Sequence, residues 1–214
     1  MNPSSPPSVT RPTTKRPRHA ASLIVYRNAG GRTEVLLGRR HARARFAPDV
    51  YVFPGGAVDR SDFSNSLAQD PLAAHMGVGK HAALAQALRV AAIREAREET
   101  GLTLVSADEA SCLQYIGRAI TPVFSPVRYH ARFFAASAEH FEGDIGGDGE
   151  LQHLHWVSVE KALNYPLIDV TTFMLQELER ELQGERSRLP LFTYYANSPR
   201  VLYRPKLGNE SSIY

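Results

Sequence analysis

The sequence predicts a mixed α/β domain in which helices cover a sheet. Two stretches of strand character, Ser22–Arg27 (SLIVYR) and Glu34–Arg39 (EVLLGR), flank a turn that contains two glycines. A long helix with an apolar stripe is expected over His81–Thr100. Further strands and then two shorter helices follow toward the C-terminus, an order that lays helices on a sheet.

Taken in order, residues 1–19 read as a disordered leader rich in Pro and Ser, with too few large apolar side chains to offset the entropy of ordering. Structure is expected from Ala20, with Asn28–Arg32 as the first turn. Arg40–Asp49 is basic and irregular, and Val50–Phe53 is a short strand that Pro54-Gly55-Gly56 should interrupt. An aperiodic stretch precedes the long helix, whose stripe is Leu84, Leu88, Ala91, Ala92 and Ala96. Gly101 stands where a left-handed helix cap is expected. Leu102–Val105, Leu113–Ala119 and Tyr129–Ala135 read as strands, and Phe141–Glu150 as an acidic, glycine-rich loop. Leu154–Val157 is a short strand before helices over Val159–Leu163 and Thr171–Gln183. The expected organisation is a leader at 1–19, a domain at 20–185 and an extension at 186–214 packed on it, its two apolar runs forming strands or docked coil.

With 214 residues, 43% of them hydrophobic, the chain can bury the core of one generous domain. No run of residues is apolar enough to make a membrane helix. The single cysteine, Cys112, cannot form an internal disulfide, so no oxidising compartment is needed and a cytoplasmic location is expected. The net charge of +3 belongs to the leader, where Arg11, Lys15, Arg16 and Arg18 stand without an acid. The remainder is close to neutral, which argues against a nucleic-acid-binding body.

The informative string is Arg94-Glu95-Ala96-Arg97-Glu98-Glu99-Thr100-Gly101-Leu102. On a helix, Glu95, Glu98 and Glu99 are related by three and four residues and share one face. They also lie at the negative end of the helix dipole, where carboxylates are disfavoured. A hard divalent cation such as Mg²⁺ would relieve both penalties. On this string alone, a solvated Glu/Arg helix face remains open as well.

Together with Phe53-Pro54-Gly55-Gly56 upstream, this string resembles the Nudix hydrolases, whose box reads G-x5-E-x7-R-E-U-x-E-E-x-G-U with U apolar. The resemblance implies a mixed sheet sandwiched between helices (α/β/α) and hydrolysis of nucleoside diphosphates linked to another moiety. It implies that Glu95, Glu98 and Glu99 are the carboxylates for Mg²⁺ or Mn²⁺, one of them also a general base. Arg94 would orient a glutamate, and Gly56 would open the loop. Two departures stand out. From Gly56 to Arg94 is 38 residues where the family has 14, so 24 are inserted, at about 60–83; this insertion reads as a surface loop. The first box glutamate is missing, and Asp62 stands in its place.

More of the chain is similar to the Nudix 19-type branch of coenzyme A diphosphatases. The stretch that carries this likeness is Thr121-Pro122…Pro126-Val127-Arg128-Tyr129…Arg132-Phe133-Phe134. In addition, Leu36-Leu37-Gly38-Arg39-Arg40-His41…Arg45…Asp49…Phe53-Pro54-Gly55-Gly56 keeps the spacing of a motif found in some coenzyme-A-cleaving Nudix proteins, departing from it at Gly38, His41 and Asp49. On that likeness, Arg39, Arg40, Arg45, Phe53, Gly55 and Gly56 are expected to contact substrate. Glu150 is the first choice for a further catalytic carboxylate, with Asp144 and Asp148 as alternatives. The implied reaction takes coenzyme A or an acyl-coenzyme A to 3′,5′-ADP and the 4′-phosphopantetheine product. The rivals are a pyrophosphatase for ADP-ribose or a nicotinamide dinucleotide, and a module that senses nucleotides without cleaving them. The expected partner is a small nucleotide conjugate, with no nucleic acid and no membrane; a homodimer is compatible with the sequence.

Overall fold

The computed structural model describes residues 15–44, 46–63, 73–79, 81–106, 112–196 and 198–205. Most of the leader, part of the insertion and Arg45 therefore lie outside the described residues.

The chain starts with an antiparallel hairpin of β1 (Arg18–Ala29) and β2 (Arg32–Arg40). Its two-residue turn, Gly30-Gly31, has φ of 60° and 78°, a pair of left-handed positions that suits glycine. β1 begins two residues before the expected Ala20, because His19 and Arg18 continue its parallel pairing with β7 (Tyr129–Ser137). β3 (Tyr51–Val52) pairs with β2. Where a break is expected at Pro54-Gly55-Gly56, the two glycines instead open a short strand, β4 (Gly55–Ala57), paired antiparallel with Ala20–Ser22. A Cβ on Gly55 would run into the Ala21 carbonyl and Ser22, so the missing side chain is what lets this strand approach.

The long helix α1 (Ala82–Thr100) ends at Gly101, whose φ is 78° and whose N–H donates to the Arg97 carbonyl at 2.9 Å. Short β5 (Thr103–Leu104) pairs with β8 (Phe141–Glu142). β6 (Gln114–Ile120), β7 and β9 (Leu151–Ser158) join the main sheet, followed by α2 (Val159–Ala162) and α3 (Asp169–Leu182). The tail forms β10 (Arg188–Tyr195) and β11 (Ser198–Pro205). Both are strands, and β10 pairs in parallel with β6, so this extension is part of the sheet itself. The strand order is β11-β10-β6-β7-β1-β2-β3, with β9 also on β2 and β4 also on β1.

The two sheet faces are covered by different helices. Leu88, Ala91, Ala92 and Ala96 of α1 pack on Leu23, Val25, Leu36 and Phe134. Met174, Leu175 and Leu178 of α3 pack on Ile24, Val35, Ile116 and Phe133. Burial on both faces explains why β1 reads as a nearly continuous apolar run. This is the expected α/β/α sandwich.

The insertion is not simply a surface loop. Its described end, residues 73–79, sends Ala73, Met76 and Val78 into the α1-side core. The fully buried Arg132 donates from Nε to the Met76 carbonyl at 2.9 Å, and Tyr115 donates to the His75 carbonyl at 3.3 Å. A sequence without periodicity gave no sign of this, because the anchors are arginine and tyrosine side chains on distant strands.

Candidate active site

Arg94 organises the site. Nε and Nη2 form a fork on the two carboxylate oxygens of Asp62, at 2.8 and 3.0 Å. Nη1 donates to Glu95 Oε1 at 2.9 Å and Glu98 Oε2 at 3.1 Å, and Nη2 also reaches the Ala57 carbonyl at 3.2 Å. One guanidinium therefore ties the loop after β4 to the helix that carries the glutamates. The hydrogen bonds to Asp62 keep Arg94 firmly protonated despite its partial burial. Burial alone would push Asp62 up, but the bonds from Arg94 and from the Asp59 amide hold its carboxyl below the usual range. Asp62 sits on a 3-10 turn, Arg60–Asp62, and is 1% exposed. The residue in place of the first box glutamate is thus committed to clamping Arg94 and is turned away from solvent.

Glu99 lies beneath the cleft floor, 2% exposed, and accepts the Gly55 N–H on Oε2 at 2.7 Å. Burial pushes its carboxyl up to about 8; the Gly55 amide opposes this, while Glu150 and Glu95 reinforce it. Glu95 lines the cleft, and a Cβ on Gly56 would overlap its carboxylate. Burial raises its pKa as well; Arg94 counteracts, and Glu98 and Glu150 add to the rise. Glu98 is turned to Arg94, its side chain 42% exposed.

Glu150 is placed by the acidic loop. The amides of Gly146 and Asp148 donate to the carbonyls of Thr100 and Glu98, at 2.8 and 2.9 Å, closing the open end of α1. A Cβ on Gly147, whose φ is 113°, would collide with the Glu99 carbonyl, so glycine is required there. The chain then carries Glu150 to the cleft rim, with Arg40 Nη2 at 3.9 Å from its Oε1. Asp148 accepts the Glu150 amide and stays within the loop, and Asp144 does not line the cleft.

Of the expected substrate contacts, Arg40, Phe53, Gly55 and Gly56 line this cleft, whose volume is about 600 Å³. Arg39 does not; it pairs with Asp49 at 3.2 Å. Sequence reasoning missed the rest of the lining: Phe46 and Tyr129, in edge-to-face contact, and Asp169, Phe192 and Tyr194 across from them. Tyr129 stands in a stretch that the family likeness covers, but no local motif marks Phe46, Asp169, Phe192 or Tyr194, which the fold brings together from separate segments.

The family model described as NUDIX domain matches residues 16–176. The chain belongs to the Nudix family. Solved structures agree on the fold. A NUDIX hydrolase from Alicyclobacillus acidocaldarius is 27% identical, with a TM-score of 0.58 over 77% of this chain and 91% of its own. An Ap4A hydrolase from C. elegans is 21% identical, with a TM-score of 0.51 over 78% and 98%. The NUDIX domain of Shewanella oneidensis NrtR, solved with ADP-ribose, is 12% identical, with a TM-score of 0.55 over 81% and 94%. No curated protein matches the sequence. This Nudix chain is a pyrophosphohydrolase of nucleoside diphosphate derivatives, and Nudix hydrolases generally use divalent metals such as Mg²⁺ or Mn²⁺.

Among the described residues, no three acidic or imidazole side chains converge closely enough to hold an ion as they stand. The donor chemistry nevertheless fits a hard cation. Neighbouring carboxylates raise the proton affinity of two of the glutamates, Glu98 and Glu150 acting on Glu95, and Glu150 and Glu95 acting on Glu99, a crowding of negative charge that a divalent ion would relieve. Among the described residues, no helix is long and apolar enough to cross a membrane.

Proposed function

We propose that this chain hydrolyses the diphosphate of coenzyme A or an acyl-coenzyme A, releasing 3′,5′-ADP and the matching 4′-phosphopantetheine. The observation that carries the reading is the division of the cleft. Glu95, Glu150 and Arg40 meet at one end, with Glu99 beneath, while the rest is walled mainly by apolar and aromatic side chains, with Asp169 as its one carboxylate. Such a lining suits a diphosphate joined to a long, largely apolar arm. The spacing of Arg39, Arg40 and Phe53-Pro54-Gly55-Gly56 supports the same branch.

Glu95, Glu98 and Glu99 would hold Mg²⁺ or Mn²⁺, which supplies positive charge against the diphosphate oxygens. Arg40 binds a phosphate oxygen by charge and hydrogen bonding. Glu150, at the rim and free of the Arg94 clamp, takes the proton from the attacking water. Arg94 and Asp62 keep Glu95 in place as charge moves. Gly55 and Gly56 let the backbone come close to the reacting phosphates. Arg45 is proposed as a further phosphate contact from the basic loop. The chain would work in the cytoplasm on a small substrate, without nucleic acid or membrane, as a monomer or homodimer.

ADP-ribose or a nicotinamide dinucleotide as substrate is the alternative. A substrate panel with Mg²⁺ or Mn²⁺, read by mass, separates the two. Release of 3′,5′-ADP from coenzyme A supports the proposal, whereas release of AMP from ADP-ribose with coenzyme A intact refutes it. Retention of Glu95, Glu98 and Glu99 counts against a purely sensing module.

A further inference from the structure

The wall opposite the glutamates comes from the first turn of α3 and from β10, and β10 lies beyond the residues that match the family. Its face is rigid. Phe192 is 4% exposed and packs against Phe173, with ring centres 5.1 Å apart, and edge-on against Tyr194 at 5.5 Å. The Tyr194 hydroxyl donates to the Asp169 carboxylate, with both oxygens at 2.6 Å. Ile168 and Val170 flank Asp169 on the cleft wall.

That arrangement gives the cleft a direction. Arg40 attracts phosphate at one end, and the Asp169 carboxylate repels it at the other. A carboxylate held by a tyrosine still has acceptor capacity, so it selects a group that brings N–H or O–H donors and no negative charge. The apolar neighbours select an arm that is largely aliphatic and carries few such donors.

We propose that Asp169, Tyr194 and Phe192 form the specificity wall of this enzyme, on which an uncharged, largely aliphatic arm lies with an amide N–H donated to Asp169. This rests on the coenzyme A reading, whose pantetheine arm has that chemistry. It also fixes orientation: the arm points to β10, and the phosphate-rich nucleotide half stays on the Arg40 side.

The test is calorimetric titration of the full chain with the two halves of the substrate, 4′-phosphopantetheine and 3′,5′-ADP, each added separately. Tyr194→Phe and Asp169→Asn should each bind 4′-phosphopantetheine about 10-fold more weakly. Their affinity for 3′,5′-ADP should stay within about two-fold of the parent. Near-UV circular dichroism checks that the Phe192 packing survives in each variant. The inference is overturned if the parent does not bind 4′-phosphopantetheine, if neither variant weakens it, or if both halves weaken equally. Turnover is scored apart from binding. Coenzyme A cleavage with no dependence on Tyr194 or Asp169 would sink the wall and keep the function. Binding of the arm that depends on these residues, with no cleavage of coenzyme A, would do the reverse.

Discussion

At its proposed catalytic end the cleft is built around two short segments, Gly55–Ala57 and the last turns of α1, with Arg40 and Glu150 at the rim; at its far end it is built from side chains of α3 and β10 on separate parts of the fold. Charge dominates the first region. Arg94 spreads its donors over Asp62, Glu95, Glu98 and a carbonyl, and Glu99 stays buried against the Gly55 amide. Shape dominates the second, where aromatic packing fixes one carboxylate. Bond breaking needs charges held at fixed distances, which a helix and an adjoining loop provide locally. Selectivity needs a surface at some distance from the reacting atoms, which only the sheet can bring near.

The largest expected effect comes from neutralising the catalytic end. Glu95→Gln or Glu99→Gln should lower turnover by about 10²–10⁴-fold with circular dichroism unchanged. Near-normal turnover would mean that this end is not the reacting end. Next is the clamp. Asp62→Ala leaves Arg94 without its main partner and should cost about 3 kcal/mol in urea unfolding. A loss below about 0.5 kcal/mol would show that the clamp does not hold the loop to α1.

The regions also differ in how well the sequence revealed them. Gly101, the α1 stripe and the Gly30-Gly31 turn each follow from local backbone preferences, and all appear where expected. Arg94, Glu95, Glu98 and Glu99 stand out in the sequence because they fall at helical spacing, and the structure gathers them through the Arg94 guanidinium and the Gly55 amide. Asp62 was visible as a position, but its pairing with Arg94 across 32 residues was not. β10, the burial of Met76 and the lining by Asp169 and Tyr194 depend on which strands pair, and local patterns do not encode that. Arg39 shows the opposite failure: it has a matching motif, but its side chain is drawn to Asp49.

A pH series distinguishes the regions more finely. In the metal-free protein the Glu99 carboxyl is raised to about 8, above its ordinary 4.5. The folded state therefore holds a proton that the unfolded state has already lost, so this group favours folding most at acid pH. Its contribution falls as pH rises from about 4.5 and is lost above about 8. The melting temperature should decline over that window, and Glu99→Gln should flatten the decline; identical slopes would contradict the burial argument. Tyr194→Phe should leave the slope as it is, because the far end does not hold this proton.

The smallest effects separate neighbouring arginines. Arg40→Ala should raise KM about 10-fold, because its side chain faces the cleft, and Arg39→Ala by less than about two-fold. Equal effects would mean that the basic loop acts only as a diffuse field.

The most direct test of the central claim is Mn²⁺ titration followed by electron paramagnetic resonance, in which binding removes the signal of the free ion. The parent protein should take up Mn²⁺ near neutral pH, and Glu95→Gln and Glu99→Gln should each weaken uptake about 10-fold or more. Unchanged uptake in both variants would contradict the account that these carboxylates hold a divalent ion at the cleft.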